Sequence, residues 1–230
     1  MAQQDSQPPG RVSEARIAGA LLLLTALATA VAVIGRVAAD ADQATLAESL
    51  VSISEARGLY GLGGAARLIS GVTLLAAAWY LSRTWIIRER LGTPLVPILL
   101  AVSGAFTAVS GACAVLLAVS APDVAAVSVD PLMENSELLR WLTGKIGFAA
   151  AGLALIVAAR YQWKVGGALR YIAPASLVIG IVMQFIWFDA VTLLHRISGV
   201  AFLVWLIAVG GMLFTGRVER LFRRMTAGPS

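Results

Sequence analysis

One histidine, His195, and one cysteine, Cys113, are all that 230 residues provide of these two types, and the counts exclude a good deal of chemistry. A haem held by two histidines cannot be built within one chain, nor can a His-rich zinc or copper site or a thiolate cluster. No intramolecular disulfide can form. A Ser-His-Asp hydrolase would have to draw on His195, Asp189 and Ser198, but the chain has no Gly-x-Ser-x-Gly turn. Haem held by His195 and a methionine such as Met183 is the haem arrangement left open. Cys113 reads as a small apolar residue packed in a bundle. Charge is scarce as well. Asp, Glu, Lys and Arg make up 13% of the chain against 59% hydrophobic residues, the balance of a polytopic membrane protein.

What the chain has instead is six apolar runs: Ile17–Gly35, Leu59–Leu81, Pro94–Val119, Leu138–Ala159, Tyr171–Phe188 and Ile197–Thr215. Each is close to the ~20 residues that span a ~30 Å hydrocarbon core. Backbone polar groups must pair within such a segment, so the runs are predicted helices and the fold class is all-α, a six-helix transmembrane bundle. The connecting segments alternate in charge. Arg11, Arg16, Arg83, Arg88, Arg90, Arg160, Lys164, Arg170, Arg217, Arg220, Arg223 and Arg224 fall on one side, twelve of the eighteen basic residues. Asp40, Asp42, Glu48, Glu55, Asp123, Asp130, Glu134, Glu137 and Asp189 fall on the other, nine of the thirteen acids. The positive-inside rule then predicts that both termini are cytoplasmic. Trp79, Tyr80, Trp85, Tyr161, Trp163 and Tyr171 mark the inner ends of the spans, and Tyr60, Trp141 and Trp187 the outer ends. The net charge of +5 is juxtamembrane arginine, which points to anionic lipid as a partner and not to nucleic acid.

The expected organisation is a single transmembrane domain over 16–216, with a disordered leader over 1–15, a basic tail over 217–230 and fraying from Thr226 to Ser230. Arg11 and Arg16, the first run and Val37-Ala38-Ala39 also have the layout of a signal peptide, but nineteen apolar residues exceed the usual ~7 to 15. In the first outer loop Leu46, Leu50 and Ile53 recur at helical spacing, which predicts a short amphipathic helix on the outer interface. Asp130-Pro131, with Glu134 in the first turn, predicts a helix start. Ser103, Thr107 and Gly111 in the third span, and Gly147 and Ala151 in the fourth, predict close packing of those two helices.

Ionisable groups within the hydrocarbon are costly and usually have a purpose. Here they are Arg67, Lys145 and, where the fifth and sixth spans connect, Asp189, His195 and Arg196. All fall in the outer half. They define a candidate ligand-binding vestibule, with Asp189, Glu134 or Glu137 to balance the cations. The opposing expectation is that Lys145 and Arg196 only snorkel to outer-leaflet phosphates. Arg67, some eight residues and so ~12 Å inside its span, needs a partner. Its setting, Arg67-Leu68-Ile69-Ser70-Gly71-Val72, repeats as Arg196-Ile197-Ser198-Gly199-Val200, the pattern of repeated hairpins.

Leu194-His195-Arg196-Ile197-Ser198-Gly199-Val200 resembles the His-Arg-x-Ser-Gly element of the succinate dehydrogenase cytochrome b anchor, where the arginine borders a quinone pocket. Here the element stands on the last helix and lacks a second haem-ligand histidine. Ala15-Arg16-Ile17-Ala18-Gly19, the acidic loop that follows and Glu55-Ala56-Arg57-Gly58-Leu59 resemble a widespread bacterial family of polytopic membrane proteins without assigned chemistry. The reading that follows is a non-enzymatic accessory or binding protein of the bacterial inner (plasma) membrane that holds a lipid, quinone or protein partner in an outer-leaflet polar pocket, with a membrane protein or a second copy of the chain as candidate partners. The alternatives are a small-solute or anion transporter and a quinone- or haem-associated anchor of a redox complex. No metal or catalytic residue is expected.

Overall fold

The structure, a computed structural model, describes residues 13–39, 46–121, 131–188 and 192–227. Among them the elements are helical: α1 (Glu14–Ala38), α2 (Leu46–Glu55), α3 (Arg57–Arg83), α4 (Trp85–Arg88), α5 (Leu95–Ser120), α6 (Pro131–Val165), α7 (Ala168–Met183), α8 (Thr192–Phe214) and α9 (Arg217–Ala227). A 3-10 turn, Gln184–Trp187, extends α7. Six of these segments are long and apolar enough to cross a membrane, and they coincide with the six predicted runs. This is a multi-pass membrane protein.

Local chemistry sets the boundaries. Ser13 caps α1, its Oγ accepting from the Arg16 backbone N–H at 3.3 Å, so Ser13 and Glu14 belong to the helix start and not to a leader. Pro131 opens α6 as the Asp130-Pro131 signal predicts, Asp130 itself lying outside the described residues. At 35 residues α6 runs about 52 Å, well beyond a hydrocarbon core. Gly166 and Gly167 both take positive φ, 76° and 57°, and turn the chain from α6 into α7.

The six long helices form a closed ring in the order α1, α3, α5, α6, α7, α8 and back to α1. Five of its six seams are drawn together where glycine lets backbones touch. Gly19 faces Gly210 between α1 and α8, Gly35 faces Gly63 between α1 and α3, Gly71 faces Gly104 between α3 and α5, and Gly152 faces Gly180 between α6 and α7. At the α5–α6 seam Gly147 meets Thr107 and the Ser103 carbonyl, as the small-residue pattern predicts. Gly111 departs from that prediction and packs on the backbone of Arg67 and Leu68 in α3. Among the described residues no glycine contact crosses the sixth seam, α7 to α8, which polar side chains join instead.

The ring has two differently closed ends. One end carries the start of α1, the end of α3 and α9: Ser13 Oγ donates to Glu219 at 3.2 Å, and Arg83 pairs with Glu14 at 3.6 Å. We call this the arginine-rich end and the other the acidic-loop end. At the latter α2 is helical as predicted, but Leu50 and Ile53 are buried in a small core with Leu117 and Met133, so α2 plugs the bundle instead of lying flat on a lipid interface. Tyr60, expected as a headgroup-level ring, belongs to the same core and is 3% exposed.

Candidate functional site

At the acidic-loop end the interior holds charge. Arg67 leaves α3 toward α6. A Cβ built on Gly144 would stand 2.7 Å from Arg67 Nη2 and 3.4 Å from Ser110 Oγ, so the missing side chain at Gly144 makes room for the guanidinium. Ser110, fully buried on α5, donates to the Arg140 carbonyl at 2.8 Å. Arg140 is 7% exposed, and its side chain donates through Nε and Nη2 to both oxygens of Glu137, one helical turn earlier. Such a two-pronged pair gives a guanidinium geometric definition as well as charge balance. Lys145 is also 7% exposed, its Nζ 3.8 Å from the centroid of the Trp141 ring. The indole face, one turn nearer the acidic-loop end, takes up its charge.

The other predicted residues stand elsewhere. His195 is on α8, its Nε2 2.9 Å from the Phe185 carbonyl, which fastens α8 to the 3-10 turn. Arg196 is exposed. Asp189 lies outside the described residues. Glu134 is exposed, while Glu137 is the acid that balances a buried cation. The four described candidates thus divide between two regions: Arg67 and Lys145 in the α3–α5–α6 sector, His195 and Arg196 at the start of α8. Arg140 was overlooked although it falls inside the predicted span from Leu138. Its spacing of three from Glu137 was the signal available.

The arginine-rich end encloses hydrocarbon. A cavity of about 150 Å³ lies between the ring and α9, with Leu22, Leu81, Val96, Leu100, Trp205 and Phe222 in its wall. On its α6–α7–α8 side Trp205 Nε1 donates to Ser176 Oγ at 2.8 Å, and that hydroxyl lies 2.7 Å from Gln162 Oε1 as donor. Buried polar atoms are thereby turned toward one another and the surface facing the cavity stays apolar. Helix α9 contributes Val218 and Phe222 to the cavity wall. Val218, Leu221, Phe222 and Met225 recur at the spacing of one helical face; Val218 and Phe222 are buried, while Arg217, Arg220, Arg223 and Arg224 are exposed. Gly216, with φ 68°, makes the corner between α8 and α9. The segment expected as a basic tail is thus a helix as far as Ala227, and Thr226 bonds back to the Phe222 and Arg223 carbonyls instead of fraying.

Among the described residues no three His, Cys, Asp or Glu side chains gather into a metal-ligand set. No family model, no curated protein and no solved structure matches the chain.

Proposed function

We propose that the chain is a non-enzymatic binding protein of a bacterial inner membrane, both termini cytoplasmic, that holds the hydrocarbon part of a membrane amphiphile in the cavity at the arginine-rich end. Orientation rests on charge: twelve of the eighteen basic residues belong to segments of that end. The observation that carries the binding reading is the cavity itself, about 150 Å³ in size and walled by aliphatic and aromatic side chains. A hydrocarbon-lined space of about that size stays dry and accepts a guest the size of benzene. It therefore suits the end of an acyl or isoprenoid tail and is too small and too apolar for a headgroup. Lipids and quinones share that tail chemistry. This moves the ligand from the acidic-loop vestibule, where the candidate residues divide between two sectors, to the opposite end.

Native mass spectrometry of detergent-purified protein tests the reading. Wild-type protein is expected to retain a phospholipid or a quinone through mild activation. Ala158→Phe and Val96→Phe, each filling the cavity, are expected to lose it, and Arg67→Ala and Arg196→Ala to keep it. Retention in both filled variants, or loss in the arginine variants instead, overturns the assignment.

A further inference from the structure

Outside the ring, on the lipid-facing side of α6, a groove of about 630 Å³ runs between the start of α5 and the side of α7. Its floor is aliphatic, formed by Leu95, Ile156, Val157 and Leu177. Its end toward α9 is different: Arg160, Tyr161 and Trp163 stand there with Thr93. Arg160 is exposed, and none of the eight residues that line the groove is an acid. Thr93 and Tyr161 also line the cavity between the ring and α9, so groove and cavity share a wall.

We infer that this groove seats an anionic phospholipid, its phosphate at Arg160 and its acyl chain along Leu95, Ile156 and Leu177. The occupant follows from the distribution of polarity. An aliphatic floor that faces the bilayer matches a chain, and a cation with hydroxyl and indole donors at one end matches a phosphate. Tyr and Trp are the rings that favour headgroup depth, which puts Arg160 at the level of the lipid phosphates. The shared wall makes the groove the lateral approach to the inner cavity. In that respect the inference rests on the tail-binding reading above, whereas the headgroup site stands on Arg160 and its neighbours alone.

The experiment is a competition. Purified protein is mixed with micelles that contain equal amounts of phosphatidylglycerol and phosphatidylcholine with identical chains, and the bound ratio is read by native mass spectrometry. Wild-type protein is expected to prefer phosphatidylglycerol about fivefold, the preference given by one arginine near a membrane surface. Arg160→Gln is expected to bring the ratio close to one. Arg224→Gln, an exposed arginine of α9 outside the groove, is expected to leave it unchanged. Trp163→Leu provides a second variant should Arg160→Gln fail to purify, and is expected to lower the ratio. Equal binding of the two lipids by wild-type protein overturns the site, as does a ratio insensitive to Arg160→Gln or displacement of the lipid by inorganic phosphate. If Ala158→Phe keeps its full lipid load while Arg160→Gln loses the preference, the cavity reading fails and the groove stands.

Discussion

The two ends of the bundle bury opposite things. At the acidic-loop end Arg67, Arg140 and Lys145 turn toward protein, and Glu137, Trp141 and a gap at Gly144 receive them. At the arginine-rich end the cations of α9 face outward, and the interior is hydrocarbon with room left in it. A buried charge needs a defined partner geometry, so it fixes how helices sit against one another, whereas apolar contacts tolerate gaps. The charged end is therefore expected to be the more rigid one, and the end with room left in it carries its charge on the surface.

Removing one carboxylate from each end is the strongest way to break this contrast. Glu137→Leu deprives the buried Arg140 guanidinium of the group it faces. The cost is expected near the lower limit of the about 3–5 kcal/mol seen when half of a buried pair is removed, because the Glu137 side chain is itself 25% exposed. Glu137→Leu with Arg140→Leu should recover most of that loss, since a buried pair exchanged for hydrocarbon is often neutral. Glu219→Leu, at the other end, removes a part-buried bond to the neutral Ser13 hydroxyl and is expected to cost about 0.5–1.5 kcal/mol. Unfolding in mixed micelles measures all three; equal losses from Glu137→Leu and Glu219→Leu would refute the distinction between the ends.

A narrower comparison uses the repeated string. Gly71 and Gly199 follow the same Ile-Ser pair, yet a Cβ on Gly71 would stand 2.3 Å from the Ala108 nitrogen, while one on Gly199 meets nothing within 4 Å. Gly71→Ala must force α3 from α5 and is expected to cost about 1–3 kcal/mol. Gly199→Ala should be neutral or gain up to about 1 kcal/mol from helix propensity. The two midpoints in the same unfolding assay settle it, and a loss from Gly199→Ala comparable to that from Gly71→Ala would mean that this site is packed after all.

These two glycines also show how far the sequence is legible. The six spans and the helix at Leu50 and Ile53 follow from hydrophobic length and period, and the start of α6 from Asp130-Pro131, because each is a local property. The depth of Arg67 was legible by counting residues. Its direction was not: α3 is apolar on every side, and what receives the guanidinium is an absence of side chain at Gly144, 77 positions away. The likeness of Arg67–Val72 to Arg196–Val200 is equally silent on packing, since the shared Ile-Ser-Gly-Val meets α5 in one case and leaves Gly199 open in the other. Trp141, four residues before Lys145, counts in the sequence only as an aromatic at a span end, and its place over the Lys145 ammonium is visible only in the structure. The inner cavity has no sequence signature at all. It is space left among residues from Leu22 to Phe222. The apolar face of α9 was in plain view at Val218, Leu221, Phe222 and Met225, but four arginines in the same stretch gave it the composition of a tail.

The least costly test concerns the one seam of the ring that glycine does not draw together. Trp205→Phe keeps most of the ring that packs in the α8 wall and deletes the N–H donated to Ser176 on α7. Side-chain hydrogen bonds between membrane helices average about 0.6 kcal/mol, so the loss of stability should be of that order. The structural consequence is expected to exceed the energetic one, because the Trp205–Ser176–Gln162 chain ties α8 through α7 to α6 where the cavity wall depends on it. Hydrogen exchange should therefore quicken in α7 and α8 around Ser176 and Trp205 while α3 and α5, locked at Gly71 and Gly104, keep their protection. Uniform quickening through all six helices would show instead that the seam is no weaker than the rest, and that the ring opens as one unit.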